Sequence, residues 1–246
     1  LRLGHYRAKL AWYNIDPIFY TRQRPSGIDD NELSKNETRR IFIEEIFPQQ
    51  DIVQGQSRIQ NTFDLSFFPN EKGPYNNNLN QDFLNNSKSN WAGITRDLSS
   101  TNFEKANVEF IQFWLLDTFS DNDSNLNNLG NLVLNLGNIS EDILKDGKKL
   151  YENGLPIVNS QEIVNESNWG KTPATQSLIY SFDSDENNRV LQDLGYDGLN
   201  DIQEIDKYNN GSSNDPAGDN YQYYIDANGG ILNRYKNYNG TQGNSP

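Results

Sequence analysis

The chain contains no cysteine and no methionine, and its 246 residues hold a single histidine, His5. Without cysteine there are no disulfides, no thiolate nucleophile and no sulfur metal site. One histidine cannot build a multi-histidine metal centre, and a Ser-His-Asp triad would have to rest on His5 alone. The missing methionine extends to the first position, which reads as an internal piece of a longer chain; no secretory signal peptide is present either. No apolar run approaches the ~18 residues of a membrane helix. Basic charge is also scarce: 21 Lys and Arg against 34 Asp and Glu give a net charge of −13. Nucleic-acid binding needs a basic face. The densest basic spots, Arg22 with Arg24 and Arg39 with Arg40, lie beside acids. No Gly-rich phosphate loop occurs, since Gly229-Gly230 is a turn. No spacing singles out a pair of carboxylates for glycoside hydrolysis. The chain is read as non-enzymatic.

Apolar residues make up 34% of the chain, below the ~45–50% of ordinary globular domains, but aromatics reach 12%. A core therefore has to be built from Phe, Tyr, Trp, Leu and Ile. Residues 6–20 (YRAKLAWYNIDPIFY) predict a strand or short helix packed on that core, ending at the Asp16-Pro17 turn. Residues 36–47 predict a solvated helix, with Ser34 and Glu37 as a capping box and Pro48 as its stop. Residues 59–68 (IQNTFDLSFF) alternate with a period of two, the pattern of a half-buried strand. Residues 75–90 are Asn-rich and predict a loop. Residues 108–116 (VEFIQFWLL) are apolar on both alternating sets, as in a strand buried on both faces. Residues 131–136 (NLVLNL) predict another strand, and residues 139–153 a helix capped by Ser140. Strands dominate the middle and helices fill connections. This is the order of a mainly β fold with helical insertions, an antiparallel β-sandwich of jelly-roll type. Residues 1–58 form an N-terminal aromatic and helical segment packing on a sandwich over residues 59–246.

The most specific local pattern is residues 193–204 (DLGYDGLNDIQE). Calcium takes several oxygen ligands around a tight turn, and a twelve-residue EF-hand-type loop supplies them at fixed positions. In that register Asp193 is first, Asp197 fifth and Gly198 sixth, where the chain must bend sharply. Leu199 offers its backbone carbonyl at the seventh place, Asp201 stands at the ninth, and Glu204 at the twelfth can bind bidentately. Gly195 departs at the third position, where Asp or Asn is usual, and removes one ligand. The plainer alternative is an acidic helix–turn–helix with Gly195 and Gly198 as caps. Two similar strings, Asp121/Asp123/Asn125 and Asp183/Asp185/Asn187, lack both the glycine and the closing glutamate and read as turns. The Tyr-rich end (Tyr221, Tyr223, Tyr224, Tyr235, Tyr238) offers flat faces for a sugar or peptide, or for packing.

Nine runs, spread over nearly the whole chain, resemble one family. They are RAKLAWYNIDPIFY (7–20), LSKNETRR (33–40), FPQQDI (47–52), DLSFFPNEKGPYN (64–76), FEKANVEFIQFWLLDTF (103–119), LNLGNISEDILKDG (134–147), ENGLP (152–156), QDLGYDGLNDIQE (192–204) and RYKNYNGTQGNSP (234–246). In this order they resemble the SprA/Sov family of Bacteroidota, the outer-membrane translocon of type IX secretion. The resemblance implies a very large β-barrel that passes folded proteins to the cell surface and serves gliding motility in some relatives. This piece would be a water-exposed segment between barrel strands, with no membrane span of its own, on the extracellular side of the outer membrane in preference to the periplasmic one. Its implied partners are the rest of the barrel, its accessory proteins and secreted cargo. The runs FIQFWLL and NLVLNLG also resemble paired core strands of galactose-binding-like jelly rolls. That likeness sets a carbohydrate-binding module of a bacterial surface protein beside the translocon segment as the alternative.

Overall fold

In the computed structural model of the chain, the residues described are 6–73, 76, 78, 82–85, 87–96, 98, 102–118, 130–138, 164–166, 170–174, 185–189, 197–208, 214–220, 222–223 and 227–237. The chain divides into two units, Leu1–Ala92 with Leu136–Pro246, and Gly93–Asn135. The first is organised by β1 (Ala8–Tyr13) and β4 (Asp64–Lys72), an antiparallel pair in which Trp12 faces Leu65 and Leu10 faces Phe67. These two strands come from either side of residue 58. Between them run a 3₁₀ turn at Pro17–Tyr20, then β2 (Ile41–Phe42), α1 (Ile43–Ile46) and β3 (Ile59–Gln60), with β2 and β3 paired antiparallel. The short α2 (Asp82–Asn85) follows. On the other flank of β1, the amide of Ala8 donates to Trp91 O (2.8 Å) and that of Trp91 to Tyr6 O (2.9 Å). β5 (Val164–Glu166) and β6 (Lys171–Pro173) form a third antiparallel pair. The remaining helices are α3 (Glu186–Arg189), α4 (Asp201–Tyr208) and α5 (Ile231–Asn237).

The core lies where α5 packs on one face of the β1–β4 ribbon. Ala11, Tyr13, Phe19, Ile28, Ile231 and Tyr235 are buried together, with Phe68 and Leu232 against them. The rings of Tyr13 and Tyr235 stack at 3.9 Å and 3°, and Phe19 meets Tyr235 edge-on. Tyr235 also places its hydroxyl where it accepts from the Asp16 amide (2.8 Å) and donates to Asn14 O (3.1 Å). It therefore fastens the end of β1 and the Asp16-Pro17 turn, where Asp16 Oδ1 accepts from the Ile18 amide. Glu32 closes the other end of α5 by accepting from the Ile231 amide (3.1 Å), and buried Arg234 reaches back to Gly229 O and Ser26 O. Tyr235→Ala should cost about 3 kcal/mol or more in chemical denaturation, the scale of a large aromatic truncated in a core. Tyr235→Phe, which keeps the stack and loses only the hydroxyl's two bonds, should cost about 1 kcal/mol.

Two sequence expectations meet a different local structure. Residues 36–47 form no single helix. A 3₁₀ turn at Glu32–Ser34 precedes the chain's extension into β2 before α1 begins. Ser34 Oγ donates to Asn31 O, and it is Glu45 that closes a cap, accepting from the Phe42 amide (2.9 Å). Of the charges spaced for a helix face, Glu37, Arg40 and Glu44, the last two reach elsewhere. Arg39 pairs with Glu45 (2.8 Å), Arg58 pairs with Glu44, and Arg40 lies over the Tyr20 ring. The alternation at residues 59–68 is real in β4, but its apolar row is the outer one. Phe63, Leu65 and Phe67 are 59%, 48% and 42% exposed, while Ser66 bonds Tyr13 Oη and Phe68 joins the core side. The reason is that β1 presents small Ala11 and flat Tyr13 to α5, and the core forms on that face.

The unit Gly93–Asn135 has a turn in which the Lys105 amide donates to Asn102 Oδ1 and the Val108 amide to Phe103 O. Residues 108–116 carry no strand among the described residues, and their apolar side chains are exposed, from 45% at Val108 to 73% at Phe110. Residues 131–136 behave likewise, with Leu132, Val133, Leu134 and Leu136 exposed. The expected helix at 139–153 lies outside the described residues.

Candidate metal centre

The acidic stretch near the C-terminal end folds around Gly198, whose φ of +67° a side chain would resist. Asp197 starts this turn by accepting from the Leu199 amide through Oδ1 (2.9 Å), the Asx geometry that makes Asp a turn former. Its Oδ2 accepts from Tyr208 Oη (3.0 Å) and its backbone carbonyl from the Lys171 amide (2.7 Å). Gly170 lies so close to that carbonyl that an added Cβ would overlap it. Next, Asn200 and Gln203 cap α4 reciprocally. The Gln203 amide donates to Asn200 Oδ1 (3.0 Å), and the Asn200 amide to Gln203 Oε1 (3.2 Å). This sets the helix phase: Glu204 and Tyr208, one turn apart, point inward with relative exposures of 1% and 6%, while Ile202 points out.

The rest of the site comes from residues 214–220. Asp215 nucleates this loop by accepting from the amides of Gly218 (2.8 Å), Asp219 (3.2 Å) and Asn220 (3.3 Å). The Ala217 amide then donates to Glu204 Oε2 (2.9 Å), and Asn220 Nδ2 to both oxygens of Asp201. As a result Asp197, Glu204 and Asp219, all buried, each bring a carboxylate oxygen within 4.8 Å of the others. Asp201, Glu204 and Asp215 do the same at the rim, with Glu204 common to both groups. A metal ion can bind in the buried group of Asp197, Glu204 and Asp219.

The electrostatics agree with that reading. Asp197 is pushed up to about 8, first by burial and then by the negative charge of Asp219; the Leu199 amide and Tyr208 hydroxyl oppose this. Glu204 is likewise pushed up to about 8, by burial and then by Asp197, against the Ala217 amide. Tyr208 is raised by burial and by Asp197. Among the described residues neither Asp197 nor Glu204 forms an ion pair with a lysine, arginine or histidine. Buried carboxylates brought this close can be neutralised by protons or by a cation. An all-oxygen, carboxylate-rich donor set suits a hard divalent cation.

Of the residues singled out in sequence, Asp197 and Glu204 meet in the buried group and Asp201 in the rim group. Leu199 is buried in the turn, its amide bound to Asp197. Asp193 lies outside the described residues. Sequence reasoning missed Asp215 and Asp219, which lie 11 and 15 residues beyond Glu204. The signal that could have found them is Asp215-Pro216-Ala217-Gly218-Asp219, two acids bracketing a tight Pro-Gly turn. Of the other two acidic strings, residues 121–125 and Asp183 lie outside the described residues. Asp185 accepts from the Asn187 amide in a simple Asx turn (2.9 Å). No protein-family model matches the chain, and no curated protein matches it. No helix among the described residues is long and apolar enough to cross a membrane.

Proposed function

We propose that this chain is a water-exposed structural and interaction segment of a type IX secretion translocon of the outer membrane, held together near its C-terminal end by a calcium ion. The observation that carries the calcium part is the convergence of Asp197, Glu204 and Asp219 in a buried position. Calcium accepts six to eight oxygens in irregular geometry, whereas magnesium demands a near-ideal octahedron. A site offering Asp197, Glu204 and Asp219 inside, with Asp201 and Asp215 at its rim, favours the larger ion. Bound there, calcium would join α4 to the loop of residues 214–220 and act as a staple; the reading assigns the segment no catalytic step.

The translocon part is supported by the nine runs from residues 7–20 to 234–246 that resemble the SprA/Sov family. In that setting the segment stands on the cell-surface side and contacts the barrel, its accessory proteins and passing cargo. The sequence pattern of residues 108–116 and 131–136 supports a jelly-roll sandwich of galactose-binding-like type, because a strand apolar on both faces needs a layer on each. The carbohydrate-binding alternative loses one of its contacts, since Tyr235 is buried in the core.

Two measurements test the proposal separately. Calorimetric titration of the chain with calcium should give saturable binding that magnesium does not match; no binding heat, with melting indifferent to chelator, would overturn the staple. The complete reading frame around this sequence should encode a very large outer-membrane barrel. A frame of about this size alone would overturn the translocon reading. Saturable, aromatic-dependent binding on a glycan array would favour the sugar module instead.

A further inference from the structure

The loop that closes the carboxylate site has a second side. Residues 214–220 give the Ala217 amide to Glu204, but the carbonyls on either side of it go to two lysines of the β1–β4 ribbon. Lys72 Nζ donates to Pro216 O (3.1 Å) and Lys9 Nζ to Gly218 O (3.2 Å). Lys9 is 7% exposed, and it lies at the β-bulge where the β1–β4 register shifts. Burial lowers the ammonium groups of both lysines, while Asp215 pulls on each in the opposite sense, joined by Glu204 at Lys72 and by Glu71 and Asp219 at Lys9. A buried ammonium is costly unless its donors are satisfied. The ribbon is therefore tied to this loop through its carbonyls. The loop's position depends in turn on Asp215, which gathers three of its amides, and on Glu204, which holds the central one.

We infer that residues 214–220 form a coupling loop, through which occupation of the carboxylate site by a divalent cation locks the β1–β4 ribbon to α4. This rests on the calcium reading above and adds its regulatory consequence. A cation held by Glu204 fixes the carboxylate whose Oε2 accepts from the Ala217 amide (2.9 Å). With Ala217 held, Pro216 O and Gly218 O stay in reach of Lys72 and Lys9. Without the cation the loop is released, and the ribbon loses its anchor at the end of β4. Surface calcium would then control the firmness of the segment's central strands, which lie far from the ligands in sequence.

Hydrogen–deuterium exchange on the full chain, with calcium or with chelator, tests this, with calorimetry run on the same samples. Calcium should slow exchange of peptides covering residues 201–208 and of those covering 64–72, each by about tenfold or more, as for a suppressed local opening. In Lys9→Met/Lys72→Met, which keeps the apolar stems, calcium should still bind and still slow residues 201–208, but no longer slow residues 64–72. The single variant Lys72→Met, with one anchor left, should show an intermediate response. If calcium binds and protects α4 while the wild-type ribbon is unaffected, the coupling is wrong and the staple stands. If the double variant's ribbon responds like the wild type, the lysines are not the link and the inference falls. Absence of calcium binding in the calorimeter overturns both.

Discussion

Glu204→Gln should abolish the calcium-dependent gain in stability and leave the calcium-free protein at least as stable as before. Glu204 is the residue shared by both carboxylate groups, so its neutral analogue weakens each at once. At calcium concentrations near a hundred times the dissociation constant, a ligand that binds only the folded state adds about 2.7 kcal/mol. For a chain of this size that corresponds to a melting shift of about 5–10 °C, readable by thermal denaturation with calcium or chelator. The second half of the prediction separates a metal ligand from a residue that merely packs. The Gln amide oxygen can still accept from the Ala217 amide, as Glu204 Oε2 does. In chelator burial already favours the uncharged form of Glu204, and the Gln side chain is likewise uncharged. A purely structural Glu204 would lose stability in chelator too. A calcium response that survives Glu204→Gln would remove this residue from the site.

In chelator, stability should fall as pH rises from about 4 to 8, opposite to the usual behaviour of carboxylates. Asp197 and Glu204 are each pushed up to about 8 in the folded chain by burial and by neighbouring negative charge. In the unfolded chain they titrate near ~4. Between these limits the folded state holds more protons than the unfolded state, so unfolding releases protons and a higher pH favours it. The contribution is fully present below about pH 4 and is lost as pH passes through about 8. The melting temperature in chelator should therefore be lower at pH 9 than at pH 5 by on the order of 10 °C. Calcium should reverse the trend over the neutral range, because it must displace those protons and binds more tightly as they leave. Calorimetry near pH 7 in two buffers of different ionisation enthalpy should report proton release on binding. A chelator profile that is flat or rises over pH 5–9 would show that the two acids are not held protonated, and the closed carboxylate site would be wrong.

Part of this protein is readable from local chemistry. The aromatic run of residues 6–20 contains β1 and a 3₁₀ turn, broken at Asp16-Pro17, because a proline that fixes φ and an Asp that caps the next amides act within a few residues. The turn at Gly198 and the candidacy of Asp197, Asp201 and Glu204 were visible for the same reason: a sharp bend needs glycine, and acids at set offsets around it face one centre. Local rules stop where two outcomes are equally compatible with them. Residues 36–47 have helical charge spacing, yet Arg39 turns to Glu45, the β2–β3 pairing brings Arg58 to Glu44, and only α1 is helical. The period of two in β4 was legible, but not which row faces inward; packing of Tyr13 on Tyr235 decided that, across more than 200 residues of chain. The same holds for the carboxylate site. Three of its five ligand candidates, Asp197, Asp201 and Glu204, lie within one acidic stretch, and their spacing announces them. Asp215 and Asp219 join only because the loop of residues 214–220 folds back so that Ala217 reaches Glu204 and its carbonyls reach Lys9 and Lys72. The burial that raises Asp197 and Glu204 exists only once those distant segments meet.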